Sequence, residues 1–425
     1  MGSILGRKPL LCILLGAFLL RAALAVALQS HLDSRGEAFL IAGDAEGYWH
    51  LGRQIAAGKP YEIYQPPRQV LRMPGFPAEL AVAMKLAAAL RLDPMRAYFV
   101  ARLFQAVIGT LCCYLVFLLG RDLFDRRIGL IAAGIVALLP TLASFSVELL
   151  SETPFAALLV ASLVALGRVV RNSAGEESRT QNRSSTILWA IASGVLIALA
   201  CYVRPSWLLF APCFALLYLL VARGAFTLPF RAAVGLVVVA STFLTLAPWA
   251  YRNYRATGHA VFTTLWAGPS LYDGLRADAT GDSDMRFYET DPNVPRMTEY
   301  EVDRYFRAKA WEFVRQNPAR AVELAFIKLW RFWKPWPNAA QFGGVLYTVV
   351  VAVSFVPLLV LAMCGAWSAR ARFWPLFLTA GPILYFSALH MVFVSSLRYR
   401  LPVEYPLAVL SAVGVEKFFG RGNRS

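Results

Sequence analysis

The sequence predicts an all-α polytopic membrane protein, because apolar residues dominate it and cluster in long runs. Hydrophobic residues make up 58% of the 425 positions and charged residues only 16%. A soluble fold of this size does not bury that much apolar surface. A helix needs about 20 apolar residues to cross a bilayer, so we expect a bundle of about ten spans, within a range of roughly nine to twelve. The expected spans are 10–28, 97–119, 128–147, 152–169, 187–203, 206–222, 232–250, 342–364, 374–394 and 402–419.

The first apolar stretch has an alternative interpretation as a cleaved signal peptide. The small residues Ala25, Val26 and Ala27 would supply a cleavage site. The run is longer than the apolar core of a usual signal peptide, so we favour a membrane span.

The basic excess predicts orientation in a membrane and not a nucleic-acid partner. The net charge is +16, but the cations punctuate apolar runs and do not gather on one solvated face. With the N-terminus inside, most cations of the short connections fall on the cytoplasmic side, as with Lys8, Arg121, Arg126 and Arg127. An even number of spans then places both termini in the cytoplasm of a bacterial inner membrane.

Two long polar segments, 29–96 and 251–341, fall on the same outer, periplasmic face of the predicted single domain, 1–425. Long structured loops often carry function. Each segment contains stretches that are too short or too charged to span, which is typical of helices lying at the membrane interface. The expected interfacial helices are Asp44–Gly58, Pro77–Leu90, Thr298–Gln316 and Pro318–Trp336.

The first outer segment carries the acidic motif Gly43–Tyr48. On a helix Asp44 and Tyr48 share one face, and Glu46 and His50 share another. Either carboxylate is a candidate to accept a proton from a substrate hydroxyl or to hold a divalent cation such as Mg²⁺ or Mn²⁺. The alternative is that Asp44 only caps the helix.

Arg72 precedes a Pro-rich turn that opens the second interfacial helix. Arginine forms bidentate, charge-assisted bonds with phosphate, so Arg72 suits a lipid-linked phosphate at the headgroup level. Snorkelling of Arg72 toward anionic lipid is the alternative.

The next outer connection is short and contains Glu148 and Glu152. Two carboxylates in a tight turn between spans are costly unless they meet cations or a wet cavity. Glu152 is the stronger catalytic candidate. Alternatively, Ser151 caps the following helix and Glu152 satisfies its dipole.

Two further outer clusters place arginines beside the start of a helix. Arg204 precedes a proline, and Arg398, Tyr399 and Arg400 precede the last span. Helix N-termini beside arginines are anion sites, so these arginines are candidates for a donor phosphate, with Tyr399 as a substrate contact.

Arg21 and Arg102 lie inside predicted spans. A charge at that depth indicates a functional or bundle-facing position. The sequence identifies a partner for neither residue.

In order and sidedness, these motifs resemble the bacterial GT-C glycosyltransferases of the protein-mannosyltransferase and aminoarabinose-transferase group. The resemblance covers most of the chain. The matching motifs are Gly43–Tyr48, Arg72–Pro77, Leu119–Phe124, Ser151–Pro154, Pro248–Asn253 and Arg398–Pro402.

The resemblance implies transfer of a hexose or pentose from a polyprenyl-phosphate donor to a lipid, glycan or protein acceptor on the outer face. It implies that Asp44 acts near the acceptor or a metal, that Glu152 is the second acidic residue, and that Arg72 contacts the lipid phosphate. Glu46, Tyr48 and His50 are further candidates beside Asp44. The chain departs from the aminoarabinose transferases in having Arg72 where they have lysine, and in having fewer spans after the large loop.

A secondary transporter or flippase of a lipid-linked or anionic solute is the main alternative. Transporters often show paired repeats and polar residues near the bilayer midplane. The sequence shows neither a repeat nor a midplane carboxylate, which favours the enzyme.

Overall fold

The computed structural model describes residues 8–174, 179–222, 226–337 and 344–419, and these are helices joined by turns. The predicted all-α fold is confirmed. The segments 1–7 and 420–425, which the orientation prediction places in the cytoplasm, lie outside the described residues. The helices are α1 (Lys8–Arg35), α2 (Asp44–Ala56), α3 (Gly75–Ala89), α4 (Arg96–Leu123), α5 (Arg126–Leu138), α6 (Pro140–Phe145), α7 (Glu152–Ala174), α8 (Arg179–Val203), α9 (Phe210–Val221), α10 (Leu228–Thr257), α11 (Ala267–Gly274), α12 (Arg286–Thr290), α13 (Glu299–Gln316), α14 (Pro318–Trp333), α15 (Val345–Ser368), α16 (Phe373–Val392) and α17 (Leu397–Phe419).

Seven helices in the described part of the chain are long and apolar enough to cross a membrane: α1, α4, α7, α8, α10, α15 and α16. They match seven of the ten expected spans. The other three expected spans have a different form. Residues 128–147 form the broken pair α5 and α6, residues 206–222 form a short 3-10 turn followed by the 12-residue α9, and the last span is the 23-residue α17, whose first turns carry charges.

The break between α5 and α6 occurs at Leu139–Pro140, where proline begins the second piece. A proline cannot continue the hydrogen-bonding of the preceding helix, so carbonyls at the end of α5 lose their partners. Arg21 of α1 satisfies two of them, donating from Nη2 to the Val136 carbonyl at 3.1 Å and from Nη1 to the Ala137 carbonyl at 3.2 Å. The buried cation predicted in the first span therefore has a structural role.

Arg102 is the second intramembrane cation, and it joins three parts of the chain. Its Nε donates to Gln29 Oε1 at 3.1 Å, its Nη2 to the Ala38 carbonyl at 2.8 Å and its Nη1 to the Val147 carbonyl at 3.2 Å. These bonds hold the start of the first outer segment against the connection that leads to Glu152.

Helices α15 and α17 pack backbone to backbone. A Cβ atom on Gly365 would collide with the Leu410 carbonyl, and one on Gly414 with the Leu361 carbonyl. Only glycine allows this approach, which fixes the last helix against the bundle.

The four predicted interfacial helices appear as α2, α3, α13 and α14. In α14, Val322, Phe326 and Trp330 follow each other at four-residue intervals and are 58%, 62% and 59% exposed. Such an apolar row on a helix that also carries cations is typical of the membrane interface.

The two segments that the sequence predicts to be outer, 29–96 and 251–341, are bound to each other through Glu299 at the start of α13. Its carboxylate accepts from the Gln69 amide at 2.8 Å and from the Val70 amide at 3.0 Å. Arg68 donates from the same loop to the Val294 and Met297 carbonyls. The loop that leads to Arg72 is therefore held by the second outer segment.

Candidate active site

Five charged side chains meet in one continuous chain of ion pairs, which we term the arginine–carboxylate cluster: Arg72, Asp44, Arg398, Glu152 and Arg204. Arg72 and Arg398 lie 2.9 and 3.3 Å from the two oxygens of Asp44. Arg398 and Arg204 lie 2.9 and 2.8 Å from Glu152 Oε1. The five predicted residues are thus brought together although up to 354 positions separate them.

Helix ends position every member of the cluster. Asp44 is the first residue of α2, and Glu152 is the first residue of α7. Arg72 lies just ahead of α3, Arg204 directly follows α8, and Arg398 lies in the first turn of α17. Free amide groups at helix starts favour negative charge, so the two carboxylates occupy suitable places and a phosphate would also be stabilised there.

Two tyrosines support the guanidinium groups of the cluster. The Arg72 guanidinium lies over the Tyr48 ring at 4.6 Å, and that of Arg204 over the Tyr399 ring at 5.2 Å. Tyr48 Oη lies 3.4 Å from Ser151 Oγ, which links α2 to the turn before Glu152. A Cβ atom on Gly47 would approach Arg72 Nε to 3.2 Å, so the glycine gives this arginine room beside α2.

The two carboxylates differ in accessibility. The Asp44 side chain is 39% exposed, whereas that of Glu152 is 3% exposed. Burial alone would raise the pKa of Asp44, but the charges of Arg72 and Arg398 hold that pKa well below its usual range. Burial alone would lower the pKa of Arg72, but the Asp44 carboxylate together with Tyr48 and Tyr64 raises it above its usual value.

Two buried polar atoms of the cluster have no hydrogen-bond partner among the described residues: Arg72 Nε and Glu152 Oε2. A buried donor or acceptor without a partner is costly, and such atoms are often found where a ligand binds. Arg72 therefore keeps a donor available for an incoming acceptor oxygen.

A second group of residues, which the sequence did not identify, fixes the loop that carries Arg72. Tyr61 Oη donates to the Arg72 and Met73 carbonyls, each at 3.2 Å. Arg252 donates from Nη2 to the Tyr61 carbonyl at 3.0 Å and from Nη1 to the Gln69 carbonyl at 2.6 Å. Arg252 belongs to the Pro248–Asn253 motif, which contributes to the family resemblance, but the motif gave this arginine no role.

The structure does not bring Arg400 to the cluster, which corrects its prediction as a phosphate ligand. Arg400 is buried, pairs with Glu404 at 2.7 Å and donates to the Phe332 and Lys334 carbonyls. Residues two apart on a helix point about 200° away from each other. Arg398 and Arg400 therefore face different sides of α17.

Glu46 and His50 also lie outside the ion-pair chain. Glu46 is exposed and accepts from the Gly43 amide at 3.4 Å, which caps α2. His50 Nε2 lies 3.3 Å from the Gln54 side chain. Glu46 therefore caps α2, a role that the sequence analysis offered as the alternative for Asp44.

The predicted cation ligands have different contacts, since Asp44 belongs to the ion-pair chain and Glu46 accepts from the Gly43 amide. Within the described ranges, no group of three or more His, Cys, Asp or Glu side chains is placed to hold a metal ion. Both Asp44 oxygens face guanidinium groups, and a divalent cation there would meet like charge. The residues present do not fit a cation at Asp44 in this arrangement.

Glu148 lies next to the cluster on the turn that precedes Glu152. It is 8% exposed. Burial raises the pKa of Glu148 to about 7, partly offset by Arg102 and Arg398. The sequence marked this residue as one of two costly carboxylates but gave it no role.

An open cavity of about 1000 Å³ lies beside the loop that leads to Arg72. Its lining includes Gln69, Thr257, His259, Tyr300, Arg304 and Tyr305. The His259 and Tyr300 rings stack at 3.5 Å. Three residues of chain reach at most about 10 Å, so the Gln69 end of the cavity lies within that distance of the Arg72 backbone.

Comparison with known proteins agrees with this architecture. Residues 80–249 match the family model described as dolichyl-phosphate-mannose-protein mannosyltransferase. The archaeal oligosaccharyltransferase AglB from Archaeoglobus fulgidus, solved with an inhibitory peptide and a dolichol-phosphate, superposes with a TM-score of 0.60 at 16% identity, over 99% of this chain and 51% of that one. The protein has the GT-C fold. The resemblance predicted from the motifs is thereby confirmed at the level of the fold.

Two further structures give the range of the similarity. The same Archaeoglobus fulgidus enzyme in its apo form has a TM-score of 0.59 at 17% identity, over 96% of this chain and 51% of that one. ArnT from Cupriavidus metallidurans bound to undecaprenyl phosphate has a TM-score of 0.41 at 18% identity, over 94% and 77%. The GT-C chain described here spans about half the length of the oligosaccharyltransferase. No curated protein matches its sequence.

Proposed function

We propose that this GT-C protein transfers a sugar from a polyprenyl-phosphate carrier to a hydroxyl or amine of a lipid, glycan or protein acceptor at the outer face of the bacterial inner membrane. The observation that carries the proposal is the convergence of three arginines and two carboxylates at one end of the helix bundle. The family model and the dolichol-phosphate complex of the oligosaccharyltransferase support a lipid-phosphate donor.

The proposed reaction is a single displacement at the anomeric carbon. The acceptor oxygen or nitrogen forms the new bond while the bond from the anomeric carbon to the phosphate oxygen breaks. The electron pair leaves with the lipid phosphate, and the acceptor's proton passes to Asp44. Arg72 and Arg398 stabilise the charge that develops on the phosphate, and the single step inverts the anomeric configuration.

Glu152, Tyr48 and Tyr399 act as positioning residues in this mechanism. Glu152 holds Arg398 and Arg204 from a nearly inaccessible place, and the tyrosine rings support Arg72 and Arg204. We propose that the acceptor approaches through the open cavity beside Gln69, since its aromatic and hydrogen-bonding lining suits a polar acceptor group.

The test uses the full chain in lipid nanodiscs with polyprenyl-phosphate sugars and acceptor extracted from the native membranes. We expect wild type to consume a lipid-linked sugar and release polyprenyl phosphate. Asp44→Asn should lower this rate by about 10² to 10⁴-fold, because the proton acceptor is lost. Glu46→Gln, on the capping face of the same helix, should keep the wild-type rate. Equal rates for wild type and Asp44→Asn would remove Asp44 from the chemistry. In sealed proteoliposomes, movement of the lipid across the bilayer without cleavage would indicate a flippase.

A further inference from the structure

The Asp44 carboxylate pairs with both Arg72 and Arg398, the two arginines that the proposed mechanism assigns to the donor phosphate. Arg398 uses Nη1 for Asp44 Oδ2 at 3.3 Å and directs both Nε and Nη2 to Glu152 Oε1, each at 2.9 Å. These contacts involve all three nitrogens of Arg398 but only three of its five N–H groups. Arg72 Nη2 donates to Asp44 Oδ1 at 2.9 Å. A phosphate that binds both arginines where they converge would lie against the Asp44 carboxylate, and repulsion between the two negative charges favours displacement of one by the other.

Of the two carboxylates, Asp44 is the one that can leave. Its side chain is 39% exposed, whereas Glu152 is 3% exposed and lies between two arginines. Moving Glu152 would bury an unpaired charge, which is costly. When Asp44 moves away, its carboxylate becomes exposed to solvent. The phosphate then replaces it as the negatively charged partner of Arg72 and Arg398.

We propose that the donor phosphate and the Asp44 carboxylate compete for Arg72 and Arg398, so that donor binding releases Asp44 to accept the acceptor's proton. This inference rests on the proposed function. It also gives the order of binding, in which the donor binds before the acceptor. A carboxylate bound by two guanidinium groups is a poor base, because proton uptake has to break both ion pairs. Once displaced, the same carboxylate is an ordinary base next to the reacting centre.

The competition also completes the catalytic cycle. After transfer, protonated Asp44 releases its proton to water and regains its negative charge. It then competes again for Arg72 and Arg398 and favours release of the polyprenyl phosphate. The number of protons balances, because the one taken from the acceptor goes to solvent.

The first test measures binding of undecaprenyl phosphate to the full chain in uncharged nanodiscs, with undecaprenol as the uncharged control probe. Competition predicts that Asp44→Asn binds undecaprenyl phosphate about 5-fold or more tightly than wild type, within the usual range of coupling between ligands. Glu152→Gln removes the same charge but also the support of Arg398 and Arg204, so it should bind more weakly than wild type. Equal tightening in both variants would reduce the effect to general electrostatics and overturn the competition.

The second test uses the wild-type chain and so does not depend on how a variant folds. A water-soluble carbodiimide with an amine tag modifies accessible carboxyl groups, and peptide mass spectrometry reports the modified position. We expect undecaprenyl phosphate, but not undecaprenol, to increase modification of Asp44. Unchanged or reduced modification of Asp44 would contradict its release.

Different results would contradict the proposed function and the competition between phosphate and Asp44. If wild type binds undecaprenyl phosphate no better than undecaprenol, the proposed function itself fails. If wild type binds the phosphate, but Asp44→Asn is not tighter and Asp44 modification does not rise, only the competition fails.

Discussion

At the residue scale, Arg398 contacts both carboxylates of the cluster. A positively charged group without the planar guanidinium would not contact both. Three of its nitrogens reach Asp44 and Glu152. Lysine offers one nitrogen in place of this fork. We expect Arg398→Lys to lower the transfer rate by about 10²-fold with little change in Tm, because misplaced groups lose catalysis before they lose the fold.

The measurement for this variant is transfer rate together with thermal unfolding in nanodiscs. Arg127→Lys is a matched control, since Arg127 is exposed and pairs with Glu416, which lies about 27 Å along α17 from Arg398. A wild-type rate for Arg398→Lys would show that one charge suffices at this position.

The neighbouring arginines Arg398 and Arg400 also show what a sequence can and cannot predict about a site. Both precede the last predicted span and both suit an anion, so composition and spacing treat them alike. At the start of α17, Arg398 points toward Asp44 and Arg400 points toward Glu404. The two side chains point to different sides because both residues lie in α17, two positions apart. The sequence did not show this, because the first residue of a helix is its least certain predicted feature.

Glu79 provides a prediction about pH and stability. Expected at the membrane interface, it is instead turned inward on α3 and accepts from Gln105 Nε2 at 3.0 Å, and burial raises its pKa from 4.5 to about 8. Between these values the folded protein holds a proton that the unfolded chain has released. Stability should therefore fall as pH rises through this window.

Replacing Glu79 by glutamine removes the ionisation and keeps a hydrogen-bonding side chain. We expect Glu79→Gln to raise Tm at pH 8.5 by about 2 °C or more over wild type and to have little effect at pH 5. Thermal unfolding at both pH values is the measurement, with the exposed Glu37→Gln as control. The same Tm difference at both pH values would contradict a titrating Glu79.

At the scale of elements, the broken pair α5 and α6 depends on a single cation of α1. Arg21 donates to the Val136 and Ala137 carbonyls where Pro140 interrupts the helix. Arg21→Met keeps the bulk but leaves these buried carbonyls without a donor. We expect a loss of about 2 to 4 kcal/mol in the free energy of unfolding, the cost of several unmade hydrogen bonds.

Thermal and denaturant unfolding in detergent measure this loss. Leu11→Ala on the same helix is the control, because Leu11 is 70% exposed and packs little. Stability equal to wild type in Arg21→Met would show that water or lipid replaces the arginine.

The break between α5 and α6 could not be predicted from hydropathy. The apolar run 128–147 has the length and composition of one span, and hydropathy does not distinguish a continuous helix from two pieces. Pro140 is the local signal for the break, whereas the partner that makes the break tolerable comes from a helix 115 residues earlier. That helices form at α2, α3, α13 and α14 was predictable, because helical pattern and length depend on local sequence alone.

At the scale of the whole molecule, orientation is the prediction that remains to be measured. The distribution of cations places α13 outside and the α4–α5 turn inside. We expect Glu312→Cys to react with a membrane-impermeant maleimide on intact cells, and Arg127→Cys to react only after permeabilisation. Residues 312 and 127 are both exposed, so the two cysteines are matched in the accessibility of their side chains. The reverse pattern would place the cluster on the cytoplasmic side.

The arginine–carboxylate cluster draws its members from α2 through α17, and this has a consequence during biosynthesis. Until the ribosome has released α17 into the bilayer, Arg398 is missing, and the halves Arg72–Asp44 and Arg204–Glu152 remain unconnected. Nascent chains arrested before that point therefore carry no assembled centre. The cluster is therefore completed only when α17 joins the helices that were inserted before it.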